Sequence, residues 1–243
     1  DLMLEILIVI PARYQSTRFP GKPLVDIHGK SMLRHVWEKC VEATSPGRVL
    51  VATDDDRILE HCQNHDMQVE LTRSDCLTGT DRLYEVAQKR KSEVYINVQG
   101  DEPLVSPVDI KAVIEASQKE PEITFNAMCQ INEEADFRNP NVPKVITQKD
   151  GRLLYMSRAP IPTNKKLEFE KAMKQVCIYA YPRDVLIAFG SFKEKTPLES
   201  IEDLEILRLL ELGYEVKMIE VSGSSVAVDT PKDLEKVRDM IHD

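Results

Sequence analysis

Residues 4–22 read LEILIVIPARYQSTRFPGK. The apolar run 4–10, rich in Ile and Val, has the composition of a strand buried on both faces of a parallel sheet. It stops at Pro11 and opens into a loop carrying Arg13, Arg18 and Lys22 with no acid. The chain as a whole has 41 acidic and 32 basic residues and a formal charge of -9. Three cations at the carboxyl end of a first strand therefore stand out. In open α/β sheets ligands bind outside the carboxyl ends of the strands, so an anion is the natural occupant, and a solvated basic loop is the alternative.

The rest of the chain extends this pattern. Strands are expected at residues 48–52, 67–71 and 94–98, with helices at 58–65 and 81–90 between them. The fourth strand, VYINV, runs into Gln99, Gly100, Asp101, Glu102 and Pro103, where Gly and Pro mark a turn. Pro107 opens a further helix to about residue 117. Alternating strands and helices of this kind build a parallel sheet covered by helices. In the second half, strands at 144–147 and 153–157 flank Asp150-Gly151, a hairpin pair. Another strand is expected at 176–181. Residues 199–212 carry a helical stripe of Ile201, Leu204, Leu207 and Leu210, closed by Gly213. A strand at 216–221 and a helix opening at Pro231 complete the pattern. The polar stretch 163–174 reads as an excursion.

A length of 243 residues suits one α/β domain spanning 1–243 with a smaller inserted lobe at about 155–200. A sequence pI near 5.2 argues against a nucleic-acid partner. No apolar run approaches the ~20 residues that cross a bilayer. No secretion signal is read at the start of the sequence, and Met3 is one candidate for a native start, with Asp1 and Leu2 left open. Cys40, Cys62, Cys76, Cys129 and Cys177 are scattered and odd in number, which suits reduced thiols in a cytoplasmic protein. Of His28, His35, His61, His65 and His242, only the fourth follows another at helical spacing, on a face read as solvated.

The strand ends gather the chemistry. The first delivers Arg13, Arg18 and Lys22, the fourth delivers Asp101, and the late loop delivers Asp229. Cations with two acids suit a polyphosphate and a divalent metal, because Mg²⁺ takes one or two carboxylates plus substrate phosphates. Each acid also has a local reading: Asp101 capping the turn before Pro103, and Asp229 capping the last helix. Thr78, Gly79 and Thr80 precede a helix whose N-terminus can face an anion, or the segment is an ordinary cap formed by Thr80 or Asp81. No G-x-G-x-x-G follows the first strand, which excludes the dinucleotide-binding pattern.

IPARYQSTRFPGKPL, ATDDDRI, TGTDRL, NVQGDEPLV, LYMSRAPIP, PLESIEDLEILR and VAVDTPKDLEKVR occur in one order along residues 6–238. In that order they closely resemble the 3-deoxy-manno-octulosonate (Kdo) cytidylyltransferases. The resemblance implies a nucleotidyltransferase, Rossmann-like mixed α/β sheet whose smaller lobe makes a homodimer. It implies a transferase that uses CTP and a 2-keto-3-deoxy sugar acid to make CMP-Kdo for lipopolysaccharide. Arg13 and Lys22 would hold the CTP phosphates, with Asp101 completing the catalytic set. Pro11, Ala12, Arg73, Thr78, Gly79, Thr80 and Gly100 would surround the nucleotide. Arg18, Gln99, Arg158, Tyr179 and Glu205 would face the sugar acid, and Asp101 and Asp229 would hold Mg²⁺.

Two positions depart from the family pattern. Gln175 stands where a histidine is usual, and Ile206 where a glutamine is usual. Both family positions go with the sugar's polyol, so the departures raise a second substrate, a related ulosonic acid such as an amino-Kdo. A noncatalytic nucleotide-binding protein is a third reading, and it requires the loss of phosphate or metal residues. Arg13, Lys22, Asp101 and Asp229 are all present.

Overall fold

The computed structural model describes residues 4–241; Asp1, Leu2, Met3, His242 and Asp243 lie outside the described residues. The chain begins with β1 (Ile6–Ala12), the short pair β2 (Asp26–Ile27) and β3 (Lys30–Ser31), and α1 (Met32–Ala43). Next come β4 (Val49–Thr53), α2 (Asp56–Asn64), β5 (Val69–Leu71), α3 (Gly79–Lys89), β6 (Val94–Val98) and α4 (Pro107–Lys119). They are followed by β7 (Thr124–Gln130), α5 (Glu134–Arg138), β8 (Lys144–Thr147), β9 (Leu153–Ser157), β10 (Met173–Pro182) and α6 (Arg183–Ser191). The chain closes with α7 (Pro197–Glu202), α8 (Ile206–Glu211), β11 (Val216–Glu220) and α9 (Pro231–Met240).

The main sheet runs β11-β7-β10-β6-β1-β4-β5, with β8 and β9 continuing from β10. β1 pairs parallel with β4 and β6, and β4 with β5, as the alternating pattern predicts. β10 lies antiparallel between β6 and β7, which makes the sheet mixed. Alternate residues of β1 face opposite layers. Ile6, Ile8 and Ile10 pack with Leu33, Val36, Ile110 and Val113 on one side. Val9 packs with Leu83, Val86, Leu186 and Phe189 on the other. Both faces are covered, so the strand reads as an unbroken apolar run. The α3 and α6 helices meet at Gly190, where a Cβ would stand 2.0 Å from the Tyr84 ring.

Three expectations change. The helix expected over 199–212 is two helices, α7 and α8, separated at Asp203, whose φ of 52° is left-handed. Ile201, placed in that helix's apolar stripe, is 79% exposed as a result. The interval 155–200 does not fold as a unit either. It contains β10, the antiparallel strand at the middle of the main sheet, and the excursion narrows to β8, β9 and the loop 158–172. The Asp150-Gly151 hairpin does join β8 to β9, with Gly151 at φ 92°.

Candidate active site

Pro11 and Ala12 end β1, and Gln99 and Gly100 follow β6 directly, so parallel pairing of the two strands sets these groups side by side. A Cβ at Gly100 would stand 3.0 Å from the Pro11 carbonyl oxygen, and one at Gly79 3.5 Å from the Pro11 ring and 3.7 Å from Gln99 Nε2. The starts of α3 and of the loops after β1 and β6 therefore converge at one end of the sheet.

Lys22 lies where the basic loop returns to the sheet. Its Nζ donates to Asp101 Oδ2 at 3.0 Å and to the Val228 carbonyl at 3.1 Å, and lies 3.8 Å from Asp229 Oδ1. Residues 79 and 207 positions apart from Lys22 thus meet at its ammonium. Asp229 does not cap α9: Thr230 does, in a capping box with Asp233. Asp101 turns its carboxylate to Lys22 rather than to a local turn, while its carbonyl accepts the Val228 N–H. The set of two carboxylates matches what a Mg²⁺ ion takes from a protein when phosphates supply the remaining ligands. Arg13 and Arg18 are exposed on the same loop and pair with no carboxylate among the described residues.

Glu102, the neighbour of Asp101, is 8% exposed. Burial, reinforced by the charges of Asp101 and Asp229, pushes its carboxyl up to about 8. Sequence reasoning gave it no role, because nothing in NVQGDEP tells a buried acid from an exposed one.

Thr78 is the N-cap of α3, in place of Thr80 or Asp81. Its hydroxyl accepts the Asp81 N–H at 3.2 Å and donates to Asp81 Oδ2 at 2.8 Å. Thr80 is held by Glu205, whose Oε2 accepts its N–H at 3.2 Å, and by the Tyr181 hydroxyl at 3.1 Å. Glu205, expected to face the sugar, thus holds the 78–80 turn. Burial pushes its carboxyl up, against the Thr80 and Thr78 hydrogen bonds that pull it down.

Other expected sugar residues are turned inward. Ile206 is 1% exposed within the core that includes Tyr179, so its expected place on the sugar is corrected: it packs the core. Gln175 Nε2 donates to Asn126 Oδ1 and to the Tyr179 hydroxyl, both at 2.9 Å. Tyr179 is 3% exposed and stacks on Tyr181. Each guanidinium nitrogen of Arg158 donates to a backbone carbonyl, of Glu202, Pro140 or Asp203, which fastens three segments together. Arg73 pairs with Asp75 on the surface. Gln99, expected to face the sugar acid, is at the strand end beside Gly79. His61, read as solvated, is half-buried and bonds Ser31 at 2.7 Å. Among the described residues no cluster of three His, Cys, Asp or Glu side chains could hold a metal by itself.

Comparison with known proteins points the same way as the geometry. The cytidylyltransferase family model matches residues 7–219. The 3-deoxy-manno-octulosonate cytidylyltransferase of Escherichia coli is 41% identical over 236 residues, 97% of this chain and 96% of the relative. Its counterpart in Geobacter sulfurreducens is 43% identical over 96% of this chain and 98% of the relative. The solved structure of CMP:2-keto-3-deoxy-manno-octonic acid synthetase complexed with CTP superposes with a TM-score of 0.91. It is 40% identical, covering 97% of this chain and 98% of its own. A cytidylyltransferase from Leptospira borgpetersenii, 15% identical with a TM-score of 0.66, covers 99% of this chain and 89% of its own and shares the fold.

Proposed function

The chain belongs to the 3-deoxy-manno-octulosonate cytidylyltransferase family, and we propose that the Lys22–Asp101–Asp229 cleft is where it works. It is a nucleotidyltransferase that moves CMP from CTP to the anomeric hydroxyl of Kdo, giving CMP-Kdo and pyrophosphate. The observation that carries the site assignment is the convergence of one ammonium and two carboxylates at the carboxyl ends of β1 and β6.

Transfer of this kind needs positioning and charge neutralisation more than covalent chemistry. Arg13 and Lys22 hold the triphosphate and orient the α-phosphorus toward the sugar hydroxyl. Asp101 and Asp229 would hold Mg²⁺, which when bound offsets phosphate charge. Pro11, Ala12, Gly100 and the 78–80 turn confine the nucleoside, and small residues there allow close backbone approach. Arg18 and Gln99 face the sugar acid, an Arg suiting its carboxylate. The three guanidinium nitrogens of Arg158 already donate to carbonyls, which supports a role in shaping the sugar side rather than gripping the carboxylate.

We also propose a homodimer. Leu154 on β9 and Ile201 on α7 are 53% and 79% exposed, on elements joined by the Tyr155–Glu202 hydrogen bond, and such apolar surface suits a subunit contact. The five free thiols support a reducing, cytoplasmic setting. Among the described residues no helix is long and apolar enough to cross a membrane.

One observation keeps a second substrate in play. Gln175, where the family usually has histidine, bonds inward to Asn126 and Tyr179. Ile206 adds nothing to that case, since a core side chain leaves no bare polar group facing a sugar. Pyrophosphate release from CTP over a panel of ulosonic acids separates the readings. Kdo is expected to give the highest kcat/KM. A tenfold preference for an amino-Kdo would transfer the assignment to that acid, and no turnover of any acid would overturn the function.

A further inference from the structure

Parallel pairing of β1 with β4 sets Ala12 beside Thr53, so the loops that follow these two strands leave the sheet next to each other. The loop after β4 brings Asp55 and Arg57 to the start of α2. Thr53 Oγ1 accepts the Asp55 N–H at 3.3 Å, and Asp55 caps α2 by taking the Arg57 N–H at 2.9 Å. The same carboxylate grips the Arg57 guanidinium as a fork: Nε donates to Oδ1 at 3.0 Å and Nη2 to Oδ2 at 2.8 Å. Held in this way, the guanidinium carbon lies 3.3 Å from the centre of the Tyr14 ring. The Arg57 side chain is 54% exposed, and an ion pair so open to water contributes little to stability. What the fork does supply is a fixed plane for stacking on an aromatic face.

That face belongs to the basic loop. Tyr14 directly follows Arg13, and Gly21 directly precedes Lys22. The Tyr14 carbonyl accepts the Gly21 N–H at 2.8 Å, which closes the base of loop 14–21. Gly21 is at φ 70°, and a Cβ there would stand 2.9 Å from the Tyr14 ring, so only glycine lets the ring lie against the base. The tip of the loop has a separate hold. Phe19 packs against the cluster of Ile27, Met32 and Val228, and its N–H donates to Ser16 Oγ at 3.3 Å. The base depends instead on where the Tyr14 ring lies, and Arg57 covers that ring.

We infer that Arg57 is a positioning residue for the triphosphate site: clipped by Asp55 and stacked on Tyr14, it fixes the base of the loop that joins Arg13 to Lys22. The inference rests on the assignment of those two cations to the CTP phosphates. Two cations acting on one triphosphate must keep their separation, and a misplacement of about 1 Å at such a site can cost roughly 10²-fold in rate. Arg57 acts through Tyr14 and not on phosphate itself. Its effect on the reaction therefore needs both of its partners, the carboxylate that orients the guanidinium and the ring that receives it.

The test is steady-state kinetics of Arg57→Ala, Asp55→Asn, Tyr14→Leu and the double variant Arg57→Ala with Tyr14→Leu, varying CTP and the sugar acid in turn, beside thermal melting. Arg57→Ala is expected to raise KM for CTP about fivefold, as the loss of one exposed cation–π contact does, with KM for the sugar acid within about twofold of wild type. Asp55→Asn keeps the helix cap but removes the charge that grips the guanidinium, so it should raise KM for CTP as well. The double variant should be no worse than Tyr14→Leu alone, because both substitutions break one contact. If Tyr14→Leu does not fold, the Arg57→Ala and Asp55→Asn results decide. A fall in KM for CTP in Asp55→Asn would overturn the inference: freeing the guanidinium would then help, and Arg57 would meet phosphate directly. Wild-type KM for CTP in both surface variants, with a lowered melting temperature, would overturn it too and leave the stack a structural device. Failure of the underlying reading shows separately. Wild type would not turn over CTP, or Lys22→Ala would keep the wild-type KM for CTP, and the inference would fall with it.

Discussion

Lys22→Ala is expected to lower kcat by about 10²–10³-fold and to raise KM for CTP, with KM for the sugar acid close to wild type. The physical reason is the placement of the ammonium. Lys22 Nζ is within 4 Å of both Asp101 and Asp229, and its side chain is only 17% exposed. A charge held in so sheltered a position acts on phosphates with little screening by water. Removing it also leaves Asp101 and Asp229 as like charges beside the buried Glu102, whose carboxyl their charges already help to raise. The free enzyme would then resist the approach of a polyanion. Steady-state kinetics with each substrate varied in turn checks this result. A defect confined to sugar affinity would contradict a phosphate role for Lys22.

The second large effect is expected at Asp101. Asp101→Ala should reduce Mg²⁺-dependent pyrophosphate release by about three orders of magnitude or more, because metal-ion charge stabilisation contributes several kcal/mol to such transfers. The fold should survive. Asp101 holds the Val228 N–H through its backbone carbonyl, which alanine retains, and among the described residues its carboxylate is hydrogen-bonded by Lys22 alone. Melting temperature near wild type together with lost turnover is the expected pair of results. Turnover unchanged across a Mg²⁺ titration would remove Asp101 from the metal set.

Much of this cleft was legible in the chain because strand ends concentrate function. The 4–10 run, VYINV and the loop after β11 each announce a strand or turn locally, and their carboxyl ends carry Lys22, Asp101 and Asp229. Local reading left Asp229 with two roles, ligand or helix cap. Tertiary structure removes the cap reading by giving the cap to Thr230. The residues read less well are those whose role depends on what lies across the fold. Ile206 and Arg208 sit on one short helix, and both are buried, one in an apolar core and the other between two acids. Their spacing in sequence matches either an exposed or a buried face, and the break at Asp203 changes which face is which. Arg158 looks like a carboxylate ligand until its carbonyl partners are seen.

Helix α1 and strand β7 also lay outside the expected elements. In β7 the apolar alternation is interrupted by Asn126, a fully buried amide whose Nδ2 donates to the Val176 and Ile178 carbonyls where β10 slips register. A polar residue required by a neighbouring bulge erases the strand pattern from its own sequence. The same amide accepts from Gln175. The family departure at that position is thus fitted into the sheet, bonded to Asn126 and Tyr179.

The central claim is that this cleft transfers a nucleotidyl group by attack on the α-phosphorus. The most direct measurement follows the label from CTP carrying ³²P at either the α or the γ position, with Kdo and Mg²⁺, through to the separated products. The α label is expected in a sugar nucleotide and the γ label in pyrophosphate. Label from the γ position appearing in a sugar phosphate, or α label remaining in CTP while Kdo is present in excess, would contradict it.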